Sequence, residues 1–119
     1  MSTRTIAAPI DHSEKALATI DFEPEAEICR AFANPMRLQI LDQICQGECS
    51  ATHLQKSLHI SRANLSQHTS LLKSVGLIAK RRYGNQMHFS LAMPEVKQAF
   101  EVLRKVLHAR LAESKRLWE

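Results

Sequence analysis

The chain has 119 residues, 45% of them hydrophobic and 5% aromatic, which suits one domain with one modest core and excludes wholesale disorder. No apolar stretch is long enough to cross a bilayer, and residues 1–10 lack the apolar core and cleavage pattern of a signal peptide, so a cytoplasmic protein is expected. Net charge is +4 but uneven: residues 1–58 carry 5 Lys/Arg against 8 Asp/Glu, residues 59–119 carry 11 against 4, and neither Asp nor Glu occurs between Cys49 and Pro94. A basic span without carboxylates suits a surface that faces a polyanion, although a merely solvated basic face has the same composition.

Residues 1–20 show no sustained period and are expected to form a flexible tail ahead of one domain over 21–119. A first helix is predicted over 23–33, with acids at its start and Pro24 in its first turn. Asn34-Pro35 reads as a cap followed by a first-turn proline, opening a second helix to Gln46 that carries Leu38, Leu41, Ile44 and Cys45 on one face. Gly47 ends it. A short third helix over about 50–57 turns Leu54 and Leu58 inward, His59-Ile60 makes a turn, and Ser61 caps a fourth helix over 62–74. After Gly76 the period changes from helical to alternating. Residues 77–83 and 86–91 read as two strands joined by a Gly84-Asn85 turn. A last helix starts near Pro94 and is apolar on more than one stripe, through Val96, Phe100, Leu103, Leu107 and Leu111 and also Val102, Val106 and Ala109. So much apolar surface on a terminal helix calls for a partner, and in a chain this small a second copy fits.

Helix, turn, capped helix and basic hairpin make a mainly α fold with a β-hairpin wing, the outline of a winged helix-turn-helix. Three segments carry a more specific likeness. Residues 32–41, Phe-Ala-Asn-Pro-Met-Arg-Leu-Gln-Ile-Leu, resemble the second-helix signature of the ArsR/SmtB family of bacterial repressors. Residues 60–68, Ile-Ser-Arg-Ala-Asn-Leu-Ser-Gln-His, resemble its recognition helix, and Gly76-Leu77-Ile78 with Arg81-Arg82-Tyr83-Gly84 and His88-Phe89-Ser90-Leu91 resembles its wing. Thr69 departs from the pattern by standing where the family has leucine, which is expected to loosen the packing there. The resemblance implies a homodimer through the first and last helices that binds operator DNA and blocks transcription until an inducer binds.

On a helix over 62–74 the apolar stripe is Leu65, Leu72 and the following Val75. The opposite face then presents Arg62, Ala63, Ser66, Gln67 and Ser70, with Asn64 at its flank and Ser61 at the cap. Arg pairs with guanine, Asn and Gln with adenine, Ser reaches base or phosphate, and the small Ala63 permits close approach to the major groove. At the hairpin tip Arg81, Arg82, Asn85 and Gln86 suit phosphate or minor-groove contact. His68 falls beside the apolar stripe and is read as a packing residue.

The effector is less legible. Arsenic-responsive relatives resemble one another through Cys-x-Cys in the third helix, where Ser50 and Thr52 stand here. Zinc-responsive members carry an Asp-x-His and a second His/Glu pair on the last helix, which here offers only His108 and scattered glutamates. Sulfide-responsive members use a cysteine on the last helix, which here has none. Three thiols remain, Cys45 and Cys49 flanking Gly47, and Cys29 in the first helix. They are either a sensor for arsenic(III), a soft divalent metal or oxidation, or packing groups, and for Cys29 and Cys45, both beside apolar positions, packing is the stronger reading. The alternative regulator has no thiol sensing and answers to another ligand or partner. No nucleophile elbow, phosphate loop or paired carboxylates point to an enzyme. A protein-interaction module that has lost DNA binding would be expected to neutralise Arg62, Gln67, Arg81 and Arg82.

Overall fold

The computed structural model of the protein describes residues 21–118, so the expected tail over 1–20 lies outside the described residues. Among the described residues, five helices and three strands follow in the order α1 (Glu23–Phe32), α2 (Pro35–Gln46), β1 (Cys49–Ser50), α3 (Ala51–Leu58), α4 (Arg62–Ser74), β2 (Ile78–Tyr83), β3 (Gln86–Leu91) and α5 (Pro94–Trp118). Among the described residues, no helix is long and apolar enough to cross a membrane.

The helix boundaries sit where the chain offers a local substitute for a missing backbone partner. The Asn34 side chain accepts from Arg37 N at 3.0 Å, Ser50 from His53 N at 3.0 Å, and Ser61 from Asn64 N at 3.1 Å. Each satisfies an N-terminal amide that the helix itself leaves open. At the other end of α1, the Arg37 guanidinium donates from Nε to Ala31 O at 2.9 Å and from Nη2 to Arg30 O at 3.0 Å. A cation is thereby fixed on the last carbonyls of the first helix, where the helix dipole favours it.

The core gathers on α2, which packs against α1, α3, α4, β3 and α5. Ile40, Leu41, Leu54 and Leu72 are fully buried, each contributing roughly 1.5–3 kcal/mol of transfer free energy. Thr69 is the one buried polar side chain among the described residues, and its Oγ1 donates to Leu65 O at 2.8 Å. The hydroxyl is paired within its own helix, so its burial leaves no polar atom unsatisfied.

The sheet is antiparallel in the order β1-β3-β2. Its third strand is additional to the predicted hairpin. Cys49 and Ser50 pair with Phe89 and His88, joining the α2–α3 corner to the wing. The turn between β2 and β3 places Gly84 at φ +63°, a left-handed conformation that glycine adopts without a Cβ clash.

Gly47, between α2 and β1, has φ +153° and ψ 166°, a region that essentially only glycine populates. A Cβ there would meet nothing within 4 Å, so the cost of a side chain is backbone strain rather than crowding. Gly47→Ala is expected to lower unfolding free energy by about 1–3 kcal/mol, read from urea or guanidinium midpoints. An unchanged midpoint would show that this corner relaxes freely.

Candidate nucleic-acid interface

α3 and α4 are joined by His59 and Ile60, with His59 in the left-handed region at φ 55° and its amide bonded to Gln55 O. This turn lets Leu54 and Leu65 enter the same core while α4 crosses the surface. On α4 the buried positions are Leu65, Thr69 and Leu72. The predicted reading residues Ser61, Arg62, Ala63, Asn64, Ser66, Gln67 and Ser70 are all exposed. In the wing Arg81, Arg82, Asn85 and Gln86 are exposed as well.

Between α4, the wing and the start of α3 lies a groove of about 260 Å³. It brings together Arg62, Ser66, Ser70, Arg82, Asn85 and Gln86 from the predicted set. Ser61, Ala63, Asn64, Gln67 and Arg81 lie outside it. The groove also recruits Lys73 and Lys80, along with Thr52 and Gln55 from α3, and no carboxylate lines it. Four cationic side chains around one concave surface therefore have no local counter-charge, an arrangement suited to a phosphate backbone.

The pleat explains the exchange of Arg81 for Lys80. Buried Ile78 fixes one face of β2, and every second residue after it, Lys80 and then Arg82, shares that face. In register they lie opposite Phe89 and Met87, on the side toward α4. Arg81 falls on the far face, where its Nη1 donates to the Tyr83 hydroxyl at 3.1 Å and its guanidinium lies 5.9 Å from the Tyr83 ring centroid. Tyr83 in turn meets the His88 ring edge-on at 4.9 Å, and His88 Nδ1 lies 3.4 Å from Glu48 Oε2. Both missed lysines had signals in the chain: Lys80 by alternation from Ile78, and Lys73 by helical spacing from Ser66 and Ser70.

The profile described as "Bacterial regulatory protein, arsR family" matches residues 34–80, which span α2 through the first half of β2. The HTH-type transcriptional regulator Rv0081 of Mycobacterium tuberculosis is 33% identical over 93 residues, covering 77% of this chain and 82% of the relative. The chain belongs to the arsR family of bacterial regulatory proteins. The crystal structure of Rv0081 aligns with a TM-score of 0.75 over 78% of this chain and 94% of that one, at 32% identity. The Transcriptional activator HlyU of Vibrio cholerae is 34% identical over 79 residues, covering 66% of this chain and 73% of the relative. A solution structure from Mycobacterium bovis, described as the homodimeric winged helix-turn-helix DNA-binding domain of Mb0332, aligns at a TM-score of 0.73 and 28% identity, over 90% and 95% of the two chains. As an arsR-family member the protein is a DNA-binding transcriptional regulator, and the relatives named here are regulators, not enzymes.

The cysteines are arranged differently from the sequence expectation. Cys29 is exposed on α1, Cys45 is half-buried on α2, and Cys49 is the buried one. Cys49 owes its burial to β1, a strand the sequence reading did not contain, and its thiol lies 3.3 Å from Gly47 O and 3.5 Å from Gln43 O. Burial pushes the Cys49 thiol up from its ordinary range, and Glu48 adds to this. Burial likewise raises Cys45, with Asp42 reinforcing and Lys97 opposing. Both thiols are thus held in the protonated, weakly nucleophilic form at neutral pH. Among the described residues no three His, Cys, Asp or Glu side chains converge as a set of metal ligands.

Proposed function

We propose that the protein is a homodimeric, sequence-specific repressor of the bacterial cytoplasm, released from its operator by an effector. The observation that carries this reading is the acid-free groove between α4 and the wing, flanked by the exposed polar face of α4. In this reading Arg62, Asn64, Ser66 and Gln67 meet base edges, and Ser61, Ser70, Lys73, Lys80, Arg82, Asn85 and Gln86 meet phosphate or sugar, while Ala63 leaves room for the groove floor. Arg81, held against Tyr83, would touch DNA only at the margin. The homodimer is supported by the description of the Mb0332 domain and by the bare apolar stripes of α5.

The test is selection of a preferred duplex from a random pool, followed by transcription in vitro from a promoter that overlaps the selected site. Repression is expected, because a dimer seated on the promoter excludes polymerase. Stimulation would place the protein with HlyU, whose name is that of an activator. Recovery of no preferred sequence would remove the sequence-specific reading altogether.

For the effector, the cysteine geometry favours the alternative without thiol sensing. A soft metal or arsenic(III) binds thiolates, whereas Cys49 is packed as a protonated thiol against two carbonyls and Cys29 is exposed on a separate helix. Arsenite, cadmium, zinc and peroxide are each expected to leave the affinity for the selected duplex unchanged. Release by any of them in the wild type, abolished in the Cys45→Ser, Cys49→Ser double variant, would restore the thiol reading.

A further inference from the structure

Arg37 does more than close α1. While Nε and Nη2 hold the carbonyls of Ala31 and Arg30, Nη1 lies 3.4 Å from Nδ1 of His68, at the middle of α4. One guanidinium thus touches the end of the first helix and the centre of the fourth, from a site on the second. The contact dictates the chemistry of the imidazole. Arginine has no acceptor and does not deprotonate in proteins, so Nδ1 must supply a lone pair and the ring must be neutral, with its proton on Nε2. A protonated ring would set N–H against N–H and cation against cation.

We propose that Arg37 is a positioning residue for the DNA-reading helix, clamping α4 to the C-terminus of α1 through a neutral His68, so that acidification loosens α4 and weakens specific DNA binding. The inference rests on the reading that α4 faces DNA. His68 itself is half-buried beside the core stripe and outside the groove. α4 itself carries Arg62 and Lys73, and the elements packed against it carry Asp42 and Cys45 with Arg37 on α2, His53 and Lys56 on α3, and Lys80, Arg81, Arg82 and Tyr83 on β2. Of these, Arg37 alone acts on the ring. Burial first, and then the Arg37 charge, hold the imidazole below its ordinary value of 6.5. A histidine lowered in this way stabilises the clamped state above about pH 6.5 and loses that contribution as pH falls through the lowered value.

The direction separates this device from ordinary electrostatics. Protonating histidines on a DNA-binding surface adds positive charge and tightens binding to any duplex. Loss of the clamp does the reverse for the selected sequence. The experiment compares wild type, His68→Gln and Arg37→Lys as full-length protein. Each is measured at pH 7.5 and 5.5 and constant ionic strength, on the duplex selected at pH 7.5 and on a random-sequence duplex, with sedimentation run in parallel. His68→Gln offers an amide oxygen to Arg37 without titrating; Arg37→Lys keeps the charge but loses the planar fork.

Wild-type affinity for the selected duplex is expected to fall roughly fivefold or more on acidification, the lower end of usual coupling between sites. His68→Gln should hold or gain affinity over the same interval. Arg37→Lys should bind the selected duplex more weakly at both pH values, with its oligomeric state retained and its pH difference gone. Nitrogen chemical shifts of the His68 ring should report the Nε2–H tautomer. A wild-type profile that His68→Gln reproduces, a wild type that tightens on acidification, or an Nδ1–H tautomer would each overturn the clamp. Failure of the α4 reading appears separately, as a selection that returns no preferred duplex, and the ring tautomer still decides the clamp in that case.

Discussion

Leu107→Asp is expected to split the dimer and to lower affinity for a two-half-site duplex by roughly 10²–10⁴-fold, the usual gain from joining two binding modules. In the protomer Val102, Leu103, Val106, Leu107 and Leu111 all stand exposed along α5, as do Phe22 just before α1 and Ile28 on it. Leu103 and Leu107 also line a groove of about 460 Å³ between α5 and α2, together with Leu38 and Phe100 and with Asp42 and Arg104, which pair at 3.4 Å. A continuous apolar face of this kind rarely stays bare in water. A carboxylate placed in the middle of it would have to be desolvated in the dimer, while costing little in the monomer. Sedimentation equilibrium should show monomers at micromolar concentration for the variant and dimers for the wild type. A monomeric wild type would contradict the interface.

The second large effect is expected from Lys80→Ala with Arg82→Ala. Two cations lost per protomer are four lost per dimer, and each phosphate neutralised contributes about 0.9 to the slope of log K against log salt. The slope should therefore become shallower by about 3–4. Affinity near physiological salt should fall by roughly a hundredfold on selected and random duplexes alike. Gln67→Ala should behave oppositely, leaving the slope in place while relaxing preference at one base pair. Equal losses on cognate and random DNA for Gln67→Ala would remove it as a base reader. An unchanged slope in the double wing variant would mean that the wing stands clear of the backbone.

These effects fall on residues that the chain discloses unequally. Pro35, Gly47, Ser61 and Gly84 mark element boundaries by local chemistry, so α2, α4 and the wing could be read to within a residue or two. The strand at Cys49 and Ser50 could not, because two residues carry no period and their pairing is dictated by an edge of β3 some 40 residues away. That omission concealed the burial of Cys49, whereas Cys29, beside apolar neighbours in sequence, is exposed in the protomer. Lys80 was legible once Ile78 is taken as buried; the neighbouring pair Arg81-Arg82 drew attention by charge alone, and charge does not record which face of a pleat a side chain occupies. The Arg37–His68 contact joins residues 31 apart. No spacing rule reaches it.

A dimer that reads DNA with two copies of α4 and its wing must protect the duplex in a two-fold pattern. Footprinting of the selected duplex, combined with the mass of the complex in sedimentation, tests this most directly. Two protomers per duplex are expected, with two protected major-groove segments about one helical turn, ~34–36 Å, apart, both lost in Arg62→Ala. A single protomer at saturation, or protection that survives Arg62→Ala and the Lys80→Ala, Arg82→Ala pair unchanged, would contradict it.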